Sequence, residues 1–272
     1  MDMQPRFVAR GNAVAFAGRI TRLGNQSVSQ PVDVPGNSAS LPVTGGLARG
    51  ETGRFALLHD HTWPHPLVSF QSGSTRVWDD GNDRTRTTHV MATVDHLAIA
   101  GRFFLDGGAG YLRSTYRSGA DEPDITIRDS SLVGLRCDDH AIDVRWRSEI
   151  FNKASTYGAL QKAWTRVKTG DALDRQILRA PGTARRSAKS LPAMKGYVLV
   201  TVCELAWADT PHPEVTLDGH VLRWSGFGTV YVGEMLISHH LRRLTLLRFD
   251  LGSPFAMGAS SIEVESDGIG LP

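Results

Sequence analysis

Apolar side chains recur at every second position along much of the chain. A clear example precedes Gly101, where Val90, Ala92 and Val94 alternate with Met91, Thr93 and Asp95 before Leu97 and Ile99. Because the side chains of a β-strand point alternately to its two sides, this spacing predicts a half-buried strand. The same pattern predicts further strands at Ile125–Ile127, Tyr197–Trp207, Val215–Leu217, His220–Trp224, Thr229–Val232, Met235–Ile237, Leu244–Leu251 and Ile262–Glu265.

Polar segments between these strands predict tight turns. Leu132–Trp146 predicts a hairpin with Asp138-Asp139-His140 at its tip, because these residue types tolerate turn conformations. Asp218-Gly219 predicts a two-residue type I′ hairpin, since a positive φ costs little at glycine. Asp79–Asp83 is interpreted as another turn, because it lacks the alternating oxygen ligands and distal glutamate of a calcium-binding loop.

One segment has helical instead of strand periodicity. Its apolar residues recur at helical spacing and are Tyr157, Leu160, Trp164 and Val167. Ser155 is placed to cap the N-terminus and Gly170 to end the helix, which predicts a helix over about 156–168. A second short helix is predicted from Asp171, because Leu173 and Ile177 form one apolar step of a turn.

These elements predict a mainly β protein, an antiparallel sandwich or barrel-like sheets with one short helical insertion around 155–178. Residues 181–196 contain Pro, Gly, Ala, Ser and cations with little apolar surface, which predicts a flexible basic loop. We expect residues 1–272 to form one cooperative unit, because the strands after this loop would leave exposed edges if they folded alone. The alternative is a subdivision into 1–180 and 197–272.

Composition excludes several classes of protein. The 272 residues contain 30 Lys and Arg against 28 Asp and Glu, so there is no global field for nucleic acid or anionic lipid, and any basic site must be local. Cys137 and Cys203 lie in apolar segments, which predicts reduced, buried thiols. No apolar segment approaches the ~18 residues of a membrane helix and no secretion signal is recognisable, so we expect a cytoplasmic protein.

The strongest candidate for chemistry is a group of histidines in a proline-rich segment. His59 and His61 would face the same side of a strand and could bind one divalent transition metal, with His65 as a third ligand. Pro64 and Pro66 bend the chain where His65 would have to reach back, so a structural role for these histidines is the preferred interpretation. A bound metal is therefore the alternative to a protein without a cofactor.

Other polar groupings are interpreted as structural. Cys137–His140 combines a thiol, carboxylates and an imidazole, but residues at a hairpin tip rarely adopt the geometry that a nucleophile and its base require. His239-His240 precedes two arginines, which indicates a solvated turn. Arg145-Trp146-Arg147 and Arg223-Trp224 alternate cations with aromatic rings, as half-buried strands do when the tryptophan lies inside.

The chain contains no recognisable phosphate-binding loop, zinc-protease motif or nucleophile elbow. Its residues serve strands and turns, which favours a non-catalytic binding or assembly protein; the alternative is a metal-dependent enzyme using His59, His61 and His65. Strand edges need a cover, so we expect a homo-oligomer, with another protein as a further possible partner. No strong signal for nucleic acid and none for a membrane is present.

Overall fold

The structure is a computed structural model, and it describes residues 6–23, 26–34, 36–42, 44–57, 64–82, 84–166, 197–252 and 255–271. Its strands in chain order are β1 (Arg6–Leu23), β2 (Gln26–Val34), β3 (Ser38–Ser40), β4 (Leu47–Thr52), β5 (Phe55–Leu57), β6 (Val68–Phe70), β7 (Ser72–Asn82), β8 (Thr85–Ile99), β9 (Phe103–Arg117), β10 (Asp124–Val133), β11 (Arg136–Cys137), β12 (His140–Trp146), β13 (Tyr197–Thr201), β14 (Cys203–Trp207), β15 (Val215–Asp218), β16 (Val221–Trp224), β17 (Gly228–Ser238), β18 (Leu241–Leu251) and β19 (Phe255–Leu271). The helices are α1 (Ser148–Lys153) and α2 (Tyr157–Arg166).

The strands form two antiparallel sheets that pack face to face. The first sheet has nine strands in the order β15-β16-β17-β18-β19-β1-β2, with β13 on β17 and β3 on β1. The second has ten strands, seven of them in the order β14-β12-β11-β9-β8-β6-β5. Of the other three, β10 pairs with β9, β7 pairs with β8, and β4 pairs with β7. The mainly β sandwich predicted from the sequence is confirmed, and the described strands do not close into a barrel.

The alternation in the sequence positions the core between the sheets. In β8, Val90, Ala92 and Val94 are fully buried, whereas Met91 and Thr93 face the other side. Both cysteines are free and buried, as predicted. Burial raises the pKa of each thiol to about 12, so neither is a ready nucleophile at neutral pH.

Three details of the predicted strands are wrong. Tyr197–Trp207 is two strands, because the chain leaves the first sheet at Val202 and continues in the second. Thr229–Val232 and Met235–Ile237 belong to one strand, β17. The hairpin between β15 and β16 pairs Asp218 with Val221, so its loop is Gly219-His220, and only the glycine has a positive φ, +63°. A positive φ at the first loop residue alone is the type II′ pattern.

The first sheet has a crease that runs across four neighbouring strands. In β18, the buried apolar side chains shift from even to odd numbers between Leu246 and Leu247. The cross-strand pairing omits one residue of each strand along the same line: Ala15, Gly233, Leu246 and Ile262. Each strand thus turns two consecutive residues toward the core, and the outer face lacks one row of side chains at this line.

Ile262 occupies an unusual backbone conformation at the crease. Its φ is +57°, which is rare for a β-branched residue, and its side chain is fully buried. The side chain packs into a recess in β9, where a Cβ on Gly108 or Gly110 would overlap it. The glycines of the second sheet therefore accommodate the crease of the first.

Two helices follow β12 in the chain, and the sequence predicted only α2. Its apolar residues Leu160 and Trp164 are buried, as the helical spacing indicates. Its N-cap is Thr156, whose hydroxyl accepts the Ala159 N–H at 3.1 Å, and not Ser155, whose hydroxyl donates to Asp124. The predicted end of this helix, the second helix from residue 171 and the basic loop at 181–196 lie outside the described residues.

A buried arginine fastens the helices to the first sheet. Arg242 lies inside the protein and donates to the backbone carbonyls of Phe151, at 3.4 Å, and Ala154, at 2.8 Å, at the C-terminal end of α1. A cation there satisfies carbonyls that have no partner within the helix. In the described part of the chain, no helix is long and apolar enough to cross a membrane.

Candidate binding groove

The crease opens a groove on the solvent-facing side of the first sheet. The groove has a volume of about 810 Å³ and is lined by residues of β1, β13, β17, β18 and β19. Small-molecule sites commonly enclose ~300–1,000 Å³, so the space suits a small ligand. The missing row of side chains accounts for the depression, because residues that would fill an unbroken sheet surface point into the core instead.

One end of the groove is bordered by an ion pair between a buried carboxylate and a half-exposed arginine. The Arg248 guanidinium binds both carboxylate oxygens of Glu234, at 2.7 and 2.9 Å, and lies 3.6 Å above the Tyr231 ring. The His220 Nε2 is buried, has no hydrogen-bond partner among the described residues and lies 3.8 Å from the same carboxylate. Burial raises the pKa of Glu234, but His220 and Arg248 outweigh this effect and hold the pKa at about 2. Glu234 is therefore a carboxylate at neutral pH.

The middle of the groove carries a second set of polar side chains. Glu234, Thr245 and Glu263 lie side by side on three neighbouring strands, and the Thr245 hydroxyl donates to Glu263 at 3.3 Å. Arg243 lies 3.9 Å from the Glu263 carboxylate on its other side. Glu263 retains lone pairs that face the groove, because these two partners leave part of its acceptor capacity unused.

The other end is lined by small residues. Ala17 and Gly18 of β1 lie next to Ser260 and Gly258 of β19. A Cβ on Gly18 would lie 3.1 Å from the Ala259 Cβ, so a larger residue there would crowd the sheet. These short side chains leave this end of the groove open.

The charges of the lining balance. Three arginines and three carboxylates line the groove, and they are Arg19, Arg243, Arg248, Glu234, Asp250 and Glu263. A site with equal numbers of positively and negatively charged side chains gives little net attraction for a charged ligand. It offers guanidinium and hydroxyl donors beside carboxylate acceptors, which is the arrangement that a neutral ligand with many hydroxyl groups requires.

Of the three predicted metal ligands, the structure describes only His65. His59 and His61 lie outside the described residues, whereas His65 is exposed and its ring lies against Gly101. Among the described residues, no group of three or more His, Cys, Asp or Glu side chains is arranged to hold a metal ion. The metal site therefore stays a prediction.

The hairpin tip at Asp138 is held by a network that the sequence did not indicate. Asp138 accepts hydrogen bonds from Arg102, at 3.2 and 2.8 Å, and lies 3.0 Å from the His212 Nε2. The His212 Nδ1 accepts the Glu214 N–H at 3.0 Å, so the ring proton is on Nε2 and points to Asp138. Both ring nitrogens are engaged, so His212 has no free nitrogen to act as a base.

The remaining groupings have structural surroundings. Trp224 is buried and Trp146 packs partly buried against the core, with Arg145 and Arg223 outside. His239 and His240 form the predicted turn between β17 and β18; His239 is exposed and its Nδ1 lies 3.0 Å from the His240 Nε2.

Sequence reasoning missed the residues of the groove. Glu234 lay in a glycine-rich segment and Arg248 in a predicted strand, and neither belongs to a motif. The local signal was the apolar pair Leu246-Leu247, which interrupts the alternation of β18. That pair indicates a bulge in one strand, but the groove depends on four such positions lying side by side.

Fold and site together define a β-sandwich protein with a polar groove on the outer face of one sheet. Residues 7–238 match the model of a family described as Domain of unknown function (DUF8256), and the chain belongs to this family. The match ends at the last residue of β17, so it includes Glu234 but not Arg248, Ser260 or Glu263. No curated protein matches the chain.

Proposed function

We propose that the protein is a non-catalytic binding protein whose groove holds a neutral, polyhydroxylated ligand of saccharide type. The observation that carries the proposal is the equal number of cations and carboxylates around a space of about 810 Å³. Saccharide hydroxyls both donate and accept hydrogen bonds, so they can bind the guanidinium groups and the carboxylates of the groove lining together. Small residues at the open end leave room for a ring.

The side chains in the groove are better arranged for binding than for catalysis. The Glu234 carboxylate is occupied by both donors of Arg248, and its low pKa keeps it ionised. A glycosidase needs one carboxyl group that carries a proton near neutral pH. Glu234 does not meet that requirement.

A glycan array that contains neutral, sialylated and sulfated saccharides tests the proposal. We expect binding to neutral saccharides, followed by titration calorimetry with the best one. Ser260→Trp should abolish binding, because the indole fills the open end, and Glu263→Gln should weaken it by roughly tenfold or more through the loss of a charged acceptor. Thr216→Trp, exposed on β15 of the same sheet, is the matched control.

The outcomes separate clearly. Selective binding to sulfated or sialylated saccharides would overturn the neutral ligand class. Binding that survives Ser260→Trp would show that the groove is not the site, and an array without any bound saccharide would overturn the proposal itself.

Further properties remain proposals alongside this one. We propose a cytoplasmic homo-oligomer, since strand edges favour self-association. The alternative of a metal-dependent enzyme with His59, His61 and His65 predicts a stoichiometric transition metal in the purified protein, lost in the His59→Ala, His61→Ala double variant.

A further inference from the structure

Four arginines form a stripe across the outer face of the second sheet. Cross-strand pairs connect Arg49 to Arg76, Arg76 to Met91, Met91 to Tyr111 and Tyr111 to Arg128, so these residues lie in one row over β4, β7, β8, β9 and β10. Arg113 lies in the adjacent row. Strands are ~4.8 Å apart, so the stripe of Arg49, Arg76, Arg113 and Arg128 is ~19 Å long.

Within the part of the chain that the structure describes, the stripe arginines lack the carboxylate partners that other arginines have. Several other arginines hold a carboxylate oxygen within 4.0 Å, among them Arg86, Arg102, Arg117, Arg136, Arg147, Arg243 and Arg248. None of the four stripe arginines has such a contact with a described carboxylate. Three of them are exposed, and Arg113 is half-buried.

The pairing of Arg49 with Arg76 is unfavourable in the isolated protein. These residues are direct cross-strand neighbours on the same face, and like charges in that position destabilise a sheet. Arg113 and Arg128 are diagonal neighbours on β9 and β10. Two pairs of cations that repel each other are stabilised when an anion binds between them.

An aromatic column orients the stripe. The Arg76 guanidinium lies 4.6 Å from the centre of the Trp78 ring, and the His89 ring stacks on Trp78 at 4.6 Å. The His89 Nε2 lies 3.1 Å from Asp80 and its Nδ1 2.8 Å from the Tyr111 hydroxyl. Burial lowers the pKa of His89, so the neutral ring donates to Asp80 and accepts from Tyr111.

Carboxylates lie on both sides of the stripe. Asp80 flanks one side, where it is engaged by His89, and Glu51 lies two residues beyond Arg49 on β4. A polyanion on this face is therefore confined to the direction of the stripe. Because Arg76 and His89 both pack on Trp78, the column holds a guanidinium in place.

We propose that the stripe binds the phosphates of single-stranded nucleic acid without sequence preference. All four cations are arginines, whose planar fork matches phosphate oxygens in bidentate fashion. The two arginine pairs are separated by the width of two or three strands, ~10–14 Å, which lets each pair hold a different phosphate of one strand. The half-buried Met91 and Tyr111 between them offer contact surface to the intervening bases.

Fluorescence anisotropy with a fluorescein-labelled oligothymidylate of about 20 nucleotides tests the proposal. Four phosphate contacts on a single strand give a salt slope of ~−3, so affinity should fall ~50-fold between about 50 and 200 mM salt. The Arg76→Gln, Arg128→Gln double variant should bind at least ~10-fold more weakly at the lower salt and lose about half of the slope. Arg223→Gln, an exposed arginine of the first sheet, is the control.

Each alternative result is decisive. Absence of binding at about 50 mM salt would overturn the proposal, as would an equal loss in Arg223→Gln. Equal or tighter binding of a duplex would overturn the preference for a single strand. Binding of polyglutamate or heparin without binding of the oligonucleotide would assign the stripe to another polyanion. Equal urea unfolding curves for all variants would show that the differences arise in binding.

Discussion

Glu234 makes the free energy of unfolding depend on pH, and the substitution Glu234→Gln removes this contribution. The pKa of its carboxyl group is about 2 in the folded protein, compared with 4.5 ordinarily. Burial acts to raise this pKa, and His220 and Arg248 lower it by more. As the pH falls, the unfolded chain binds the proton before the folded protein does, so the contribution of Glu234 is present above about pH 4.5 and is lost toward about pH 2.

The size of this contribution follows from the two pKa values. Their difference corresponds to ~3 kcal/mol of folding free energy, of which ~2 kcal/mol is lost by pH 3. The Glu234 side chain is only 9% exposed, but that of Arg248 is 41% exposed, so solvent screens part of the interaction and ~3 kcal/mol is an upper bound. The Arg248 interaction is bidentate, which supports a value of this order.

Urea unfolding at pH 7 and at about pH 3 measures the effect. The wild-type protein should lose ~2 kcal/mol more between these pH values than Glu234→Gln does, because the amide cannot take up the proton. Asp250→Asn removes an exposed carboxylate from the neighbouring strand β18 and should behave as the wild type does. An equal pH dependence in the wild type and Glu234→Gln would refute the reasoning.

Other predictions concern the crease, the buried arginine and association. Gly108→Ala should cost ~1–3 kcal/mol in urea unfolding because its Cβ would overlap Ile262, whereas Gly107→Ala, whose Cβ has only a 3.9 Å neighbour, should cost little; equal costs would contradict the packing. Arg242→Met should cost ~2 kcal/mol or more by leaving helix carbonyls unpaired, and Arg243→Met, on the outer face, should cost under ~1. Light scattering should give a multiple of 29.7 kDa; a constant monomer mass on dilution would exclude the oligomer.

The sequence determined the class of fold because its signals are local. Alternation along Val90–Val94 needs only neighbouring residues to predict a strand, and the spacing of Leu160 and Trp164 needs only one helix. The hairpin at Asp138-Asp139 depends on residues that sit beside each other in the chain. Such patterns constrain the backbone directly, so they predict an element without knowledge of the strand that pairs with it.

Errors arose where tertiary contacts override a continuous pattern. Tyr197–Trp207 alternates without interruption, yet Val202 N–H pairs with the Gly233 carbonyl at 2.8 Å and the chain passes between the sheets there. The helix cap moved by one residue because Asp124 takes the Ser155 hydroxyl, which leaves Thr156 to cap. In both cases the deciding partner is far away in sequence.

The groove and the stripe depend on register, which is not a local property. Leu246-Leu247 shows by itself that β18 turns two residues inward, but a groove forms only because Ala15, Gly233 and Ile262 lie on the same line. A shift of one residue in any pair would move each side chain to the other face and scatter these positions. The sequence alone therefore determines strands and core, and only the pairing of distant strands decides which charges meet on the surface.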